Sequence, residues 1–469
     1  LKKLLYQFQI KAPSSLACLR LLNILAVCLR RLNPRRLDCI FDLKLVLLVL
    51  FLALLFPAVL SAQKGYLEVS AHGNRQSRMA ITTPVPLDGA VRTDIAREIA
   101  DVLTFDMTLA GPFVVTPAAG EKQSGIRPGD FDLAPWRAAN VDLLVKTGYS
   151  VTGATLTIEC RLYDLATNRE LTAKRYSGAV KDMRRIAHTF SDEIMRVVTG
   201  ERGPFTGKIA FVSNVTGNKE LYLMDYDGHN PLRLTHNGSI NLNPEFSPTG
   251  RELIFTSYKK GGVDLFRREI FSGAEARISA NSGINITAAY APDGNRIALA
   301  MSKDGSSQIY LISKEGKQLA RLTNNNAIDV SPAWSPDGRR IAFVSDRLGR
   351  PQIFVMDADG ANQRRLTSSG AYNASPRWSP KGDRIAYCRQ YANEFHIHAI
   401  NPDGSNDTRL TTEGSNEHPR WSPDGRFITF SSRRDGREAI YVMRADGNGQ
   451  TQVSHGKGND NHPTWSPRW

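Results

Sequence analysis

An aromatic-Ser-Pro element recurs six times in the C-terminal half of the chain, and its spacing constrains the fold more tightly than any other feature. The copies are Phe246-Ser247-Pro248, Tyr290-Ala291-Pro292, and Trp-Ser-Pro beginning at Trp334, Trp378, Trp421 and Trp465. Their closing prolines fall at 248, 292, 336, 380, 423 and 467, at intervals of 44, 44, 44, 43 and 44 residues. Self-similarity at such a period marks a repeat architecture, in which one supersecondary unit cannot bury its own apolar faces and its neighbours bury them instead.

Each unit has the same internal plan. A Pro-Asp-Gly or related turn precedes an alternating apolar run, as in Leu253-Ile254-Phe255, Ile297-Ala298-Leu299, Ile341-Ala342-Phe343, Ile385-Ala386-Tyr387 and Ile428-Thr429-Phe430. A polar turn such as Ser345 to Gly349 follows, then a second run such as Gln352 to Met356, an Asp-Ala-Asp-Gly turn and an Arg-Arg-Leu-Thr segment. Proline presets φ and glycine accepts positive φ, so these are tight turns between strands. Four short strands per unit is the plan of a propeller blade. The unit opening at Lys208 to Ser213 lacks the aromatic-Ser-Pro strand before it, while Trp465-Ser466-Pro467 is that strand with no unit after it. Joining the two predicts a closed six-bladed β-propeller over 204–469, pinned by its last strand. The aromatics at 246, 290, 334, 378, 421 and 465 are then expected to pack between blades as core.

Residues 78–203 lack the repeat and read as a small α/β (α+β) domain. Strands are expected at 78–83, 113–116 and 141–147, with an antiparallel pair at 154–164 and 169–177. Ile95, Ile99, Val102 and Leu103 define a helix face over 94–103, and Met183 to Val198 is a long amphipathic helix. Upstream, Leu45 to Leu60 is apolar except for Pro57, follows Lys44 and the Arg35–Arg36 pair, and ends in Ser61-Ala62. This is the pattern of an export signal cut near Ala62. A retained membrane helix is the alternative, though the run is short of the ~20 residues a bilayer core requires. Residues 1–62 are thus an upstream extension and signal peptide, and 63–77 an N-terminal segment. The first 43 residues fit either a start site assigned too far upstream or a functional extension.

The formal charge of +14 is misleading as it stands. Residues 1–62 contain nine Lys or Arg against Asp38 and Asp42, a contribution of +7 that leaves +7 for the rest. No basic stripe with interleaved aromatics appears, so nucleic acid is not an expected partner. Cys18, Cys28, Cys39, Cys160 and Cys388 form neither a disulfide framework nor a metal spacing. The two well-separated thiols left outside the N-terminal segment are compatible with an oxidising compartment.

No catalytic constellation emerges. There is no G-x-S-x-G element, and the Ser-Pro serines recur without a recurring His or Asp partner. Asp357-Ala358-Asp359-Gly360-Ala361-Asn362 resembles the start of a calcium loop, but Ser368 stands where its twelfth-position glutamate belongs, so a turn is expected. Two polar sets attract a functional reading. Asn241, Asn285, Asp329, Asn373, Asn416 and Asp460 stand three residues before the repeat's first proline position; Asn243, Thr287, Ser331, Ser375, His418 and His462 stand immediately before it. A closed ring places both sets around its axis. The first set either caps its own turns or joins a binding rim; the second varies between blades, as a rim would, and His418 and His462 could titrate near neutrality or hold an ion. His396 and His398 share a strand face and read as blade packing or surface. The competing reading is a propeller enzyme or small-ligand protein acting on wall fragments, which would require a deep pocket with a titrating His or carboxylate.

The stretches His188-Thr-Phe-Ser-Asp-Glu-Ile194, Thr199-Gly-Glu-Arg-Gly-Pro-Phe205, Lys208-Ile-Ala-Phe-Val-Ser213 and Met224-Asp-Tyr-Asp-Gly228 resemble the TolB family of the Gram-negative Tol–Pal system. The likeness covers essentially all of 64–469. It implies a non-catalytic, cofactor-free monomer in the periplasm that supports outer-membrane integrity and constriction during division. It further implies a Pal-like peptidoglycan-associated lipoprotein at the propeller mouth. A TolA-like inner-membrane protein would engage the N-terminal segment, through residues such as Tyr66, Glu68, His72 and Arg75. On this view His188 is a packing or relay residue and not a base.

Overall fold

The computed structural model describes residues 76–117 and 125–468. The export signal, Tyr66, Glu68, His72 and Arg75 lie outside the described residues.

The N-terminal domain is one sheet with two long helices packed against it. Strand β1 (Ser77–Ile81) lies parallel to both β3 (Phe113–Pro117) and β4 (Leu143–Thr152), and β4 continues antiparallel through β5 (Thr155–Asp164) to β6 (Arg169–Ala179). A two-residue strand, β2 (Val85–Pro86), pairs with β4. Helix α1 (Thr93–Ala110) and helix α3 (Met183–Thr199) bury Ile95, Ile99, Val102, Leu103, Ile186, Phe190 and Ile194 in one cluster with Met79, Val145, Ile158 and Leu162 of the sheet. The short helix α2 (Ala134–Ala138) covers the other face with Trp136. Helix α1 runs a further seven residues past the predicted Leu103. Its extension contains Thr104, Asp106 and Thr108, which break the apolar period, and Asp106 is buried there only because it is ion-paired.

Six four-stranded antiparallel sheets follow. In the second blade the strands are Asn241–Phe246, Glu252–Ser257, Asp264–Glu269 and Glu275–Ser279, counted outward from the axis. The first blade is composite. Asp460–Trp465 supplies its inner strand and pairs antiparallel with Lys208–Ser213, with Asp460 opposite Ser213 and Trp465 opposite Ile209. Ser466 strengthens the join: its Oγ accepts from Lys208 N at 2.9 Å. The closure expected from the repeat is therefore present.

Each aromatic of the repeat is buried, and each wedges between two blades. Trp334, for example, clusters with Ala298, Ala300 and Ile309 of one blade and with Ile341 and Phe343 of the next. The outer Asp-x-x-Gly turns have an equally specific cause. Gly228 and Gly360 sit at φ +88° and +92°, and a Cβ on either would overlap the carbonyl oxygen of Val453 or Leu322 in the adjoining blade. The motif that resembles a calcium loop is one of these turns. Asp359 accepts from Ala361 N at 2.9 Å, and Asn362 donates to Asp357 at 2.6 Å.

One apolar cluster runs unbroken from the helices of the N-terminal domain into the propeller, through Phe205, Tyr226, Phe427 and Trp465. Phe205 meets Tyr226 and Phe427 at 5.5 and 6.1 Å, and Tyr226 stacks on Trp465 at 5.8 Å. Trp465 therefore belongs both to ring closure and to domain docking. Truncating it to Ala should cost about 3–5 kcal/mol, measured by chemical denaturation. The equivalent Trp334→Ala should spare the docking: the N-terminal domain should remain protected from proteolysis in that variant and lose protection in Trp465→Ala.

Candidate functional site

The inner strands meet around the axis, and each contains a bulge at the same place. Between Leu242 and Glu245 the register with the second strand slips by one, and the same slip recurs at 286–289, 330–333, 374–377, 417–420 and 461–464. The bulged residue is always left-handed: Asn243, Thr287, Ser331, Ser375, His418 and His462 have φ between 50° and 58°. Such a conformation costs of order 1–2 kcal/mol for a non-glycine residue, and for β-branched Thr287 it is a true outlier. Proline follows in five of the six copies, lacking an N–H where the ladder is interrupted anyway. Bulge and proline together stop these inner edges from recruiting another strand. They also turn the side chains of the second polar set inward.

That set forms a partly exposed ring with two unlike arcs. On one side Thr287 Oγ1 accepts from Ser331 N across the blade boundary at 3.1 Å. On the other, the imidazoles of His418 and His462 stack at 3.7 Å between centroids. His418 Nδ1 lies 3.2 Å from Ser431 Oγ, and His462 Nδ1 lies 2.9 Å from Asn461 Oδ1. Both rings are shifted toward their neutral form. Burial, then the mutual approach of the rings, holds His418 well below its ordinary value. Burial, then Arg420, Lys219 and Arg377, brings His462 down to about 3. Among the described residues no group of three or more His, Cys, Asp or Glu side chains is placed to hold a metal ion.

The first polar set has another role. Asn241, Asn285, Asp329, Asn373, Asn416 and Asp460 are buried, and the structure makes them hydrogen-bond hubs, not part of the rim. Asn241 Nδ2 donates to Lys219 O at 2.9 Å and Asn285 Nδ2 to Val263 O at 3.0 Å, each reaching the preceding blade. Asn373 donates to Gln352 Oε1 and Ser369 O, and Asn416 to Glu413 O and Gly414 O. Asp329 takes Asn325 and Arg347 at 2.8 and 2.9 Å. These residues fix the loops that the rim stands on.

A feature that the repeat reading passed over surrounds this mouth. Of the thirteen large apolar side chains exposed among the described residues, seven lie on the mouth face: Val215, Ile240, Tyr258, Ile328, Leu348, Tyr372 and Tyr391. Ile328 is 50% exposed and Leu348 61%. Ile240, Ile328 and Tyr372 occupy one repeat position, immediately before the buried Asn or Asp, so the repeat itself carried the signal. His396 and His398, by contrast, are packed inside their blade: His398 bridges Asp407 and Tyr391 Oη at 3.0 Å each, and His396 lies 3.3 Å from Asn416 Nδ2.

At the far end from the mouth lies a cavity of about 360 Å³, lined by Glu245, Arg377 and Arg420, walled by the repeat aromatics and rimmed by the Ser-Pro turns. This end faces the N-terminal domain. Arg426 donates to Thr199 Oγ1 at 2.9 Å, and Arg468 donates to Arg202 O at 2.8 Å.

The domains are also locked by charge. Buried His188 on α3 lies 2.9 Å from Asp106 on α1 and 3.1 Å from Asp227 in the first blade. Arg184 bridges Asp227 and Glu98, and Tyr226 Oη donates to Asp106. Burial opposes a charged imidazole here, but Asp106, reinforced by Asp227, outweighs it and raises His188 to about 10. Because that lies above the ordinary value of about 6.5, the stability contributed by His188 is complete below pH ~6.5 and is lost as pH rises to about 10, the window in which the unfolded form has lost its proton and the folded form still holds it. His188→Gln should flatten this alkaline decline in a series of thermal melts. An unchanged slope would show that His188 is not the titrating group.

A rigid six-bladed ring with a polar, apolar-fringed mouth and a docked α/β domain places the chain among two-domain β-propeller proteins. The chain belongs to the TolB family: the model of the TolB beta propeller domain matches residues 195–469, and that of the TolB amino-terminal domain matches 65–171. Relatives named Tol-Pal system protein TolB include those of Geobacter sulfurreducens, 64% identical over 208 residues, and Geobacter metallireducens, 64% identical over 211 residues. These matches cover 44% and 45% of this chain, and 48% and 49% of the respective relatives, so the chain spans about half the length of the curated relatives it matches. The crystal structure of TolB from Acinetobacter baumannii superposes with a TM-score of 0.75 at 24% identity, covering 84% of this chain and 97% of that one, a likeness of fold.

Proposed function

We propose that this protein is a non-catalytic periplasmic interaction protein of the Tol–Pal envelope system. It links a Pal-like lipoprotein to a TolA-like inner-membrane protein and so helps maintain the outer membrane and support constriction at division. The observation that carries this reading is the mouth face. It combines hydrogen-bonding groups held in a strained, preset geometry with a concentration of exposed apolar side chains, the mixture found where proteins dock. Membership of the TolB family supports Pal-like and TolA-like proteins as the partners. The channel mouth is ringed by hydroxyls and neutral imidazoles and presents no carboxylate among the six bulged residues, which favours binding over acid–base chemistry.

In this reading the Pal-like partner inserts polar groups among Thr287, Ser331, Ser375, His418, His462 and Asn243, and lays an apolar rim on Ile240, Ile328 and Tyr372. The N-terminal segment, with Tyr66, Glu68, His72 and Arg75, serves the TolA-like partner. Calorimetry against purified Pal tests the first interaction. Tyr372→Ala should weaken binding by about 1–2 kcal/mol, as loss of an interface aromatic does, and the triple substitution Thr287→Ala, His418→Ala, His462→Ala should weaken it further. Undiminished affinity in the triple variant would exclude the mouth. Deleting 63–77 should abolish TolA capture while leaving Pal affinity measurable.

A further inference from the structure

The lower channel holds charge that nothing in the propeller neutralises. Arg377 and Arg420 project into it from adjacent blades, and Glu245 is the one carboxylate in its lining. Glu245 Oε2 lies 3.3 Å from Arg420 Nη2 and 3.9 Å from Arg377 Nη2, and it forms a well-directed hydrogen bond with neither. The arginines otherwise donate only to proline carbonyls: Arg377 Nη1 to Pro376 O at 2.9 Å and Pro332 O at 3.4 Å, and Arg420 Nη1 to Pro419 O at 3.4 Å. The Nε of each is buried without a partner, as are the indole nitrogens of Trp334, Trp378 and Trp465 in the same wall. Two guanidiniums against one carboxylate leave an excess of one positive charge. Burial, and then the neighbouring Arg377, pushes Arg420 down to about 9, the response of a cation short of counter-charge.

We propose that this cavity binds one small oxyanion, a phosphate or carboxylate group, between Arg377 and Arg420. Planar guanidinium forks match such an anion's oxygens, and the contact is strongest where water is scarce. The volume suffices for a small anion with several waters, at ~30 Å³ for each water. Entry is from the Ser-Pro rim, the end nearer the N-terminal domain, so a partner seated on the mouth would not block it. A large or strongly apolar ligand is excluded by the charged floor.

The indole N–H signals in a ¹H–¹⁵N spectrum of the whole protein report directly on this wall. Phosphate, sulfate and acetate are titrated separately, with chloride as the ionic-strength control. Saturable shifts of a subset of indole signals are expected with the oxyanions and not with chloride; a larger effect of phosphate than acetate would mark a phosphoryl site, and the reverse a carboxylate site. Arg420→Met and Arg377→Met should each weaken binding by roughly tenfold or more. If either fails to fold, Arg420→Lys and Arg377→Lys take its place, since they keep the charge and lose the fork; each should bind at least about threefold more weakly. Chloride reproducing the shifts, an absence of saturation, or affinity unchanged in the arginine variants would overturn the proposal.

Discussion

The antiparallel pairing of Asp460–Trp465 with Lys208–Ser213 is the constraint on which everything else rests. It converts a row of six blades, each with two faces needing cover, into a ring in which every blade has two neighbours. The same strand delivers Trp465 to the cluster of Phe205, Tyr226 and Phe427, so closing the ring also builds the seat for the N-terminal domain. Ring and domain are then secured by two different forces. The apolar cluster is indifferent to pH, while the buried group of His188, Asp106 and Asp227 weakens as the imidazole loses its charge.

The bulges of the inner strands translate this scaffold into a site. Bringing six strands together at an axis leaves six inner edges unpaired, and each is blocked by a left-handed residue, in five cases followed by proline. The strain of those residues is held by the hydrogen-bond hubs at 241, 285, 329, 373, 416 and 460, which tie loops and neighbouring blades. A rim preorganised in this way loses little freedom when a partner docks, a benefit to affinity that buried area alone does not confer.

The channel has two ends of different character. Hydroxyls, neutral imidazoles and apolar side chains surround the mouth, whereas the domain-facing end is floored by paired guanidiniums and walled by indoles. The repeat aromatics therefore serve twice. One surface of each ring packs between blades as the repeat implied, while its edge helps wall the cavity, a role that periodicity could not distinguish from packing.

The sequence by itself determined the number of blades, their strand plan, the composite first blade and the main elements of the N-terminal domain. These follow from period, turn chemistry and apolar alternation, all of which are local. Only the tertiary structure decided which of two neighbouring polar sets lines the mouth. Positions 241 and 243 differ by two residues along a strand, and without the bulge both would point to the same side; the slip in register buries one and exposes the other. The same holds for charge. Arg377 and Arg420 are unremarkable in a basic chain, as are Asp106 and Asp227 in their own segments. Their meaning depends on distances across blades and domains, which a linear sequence does not contain.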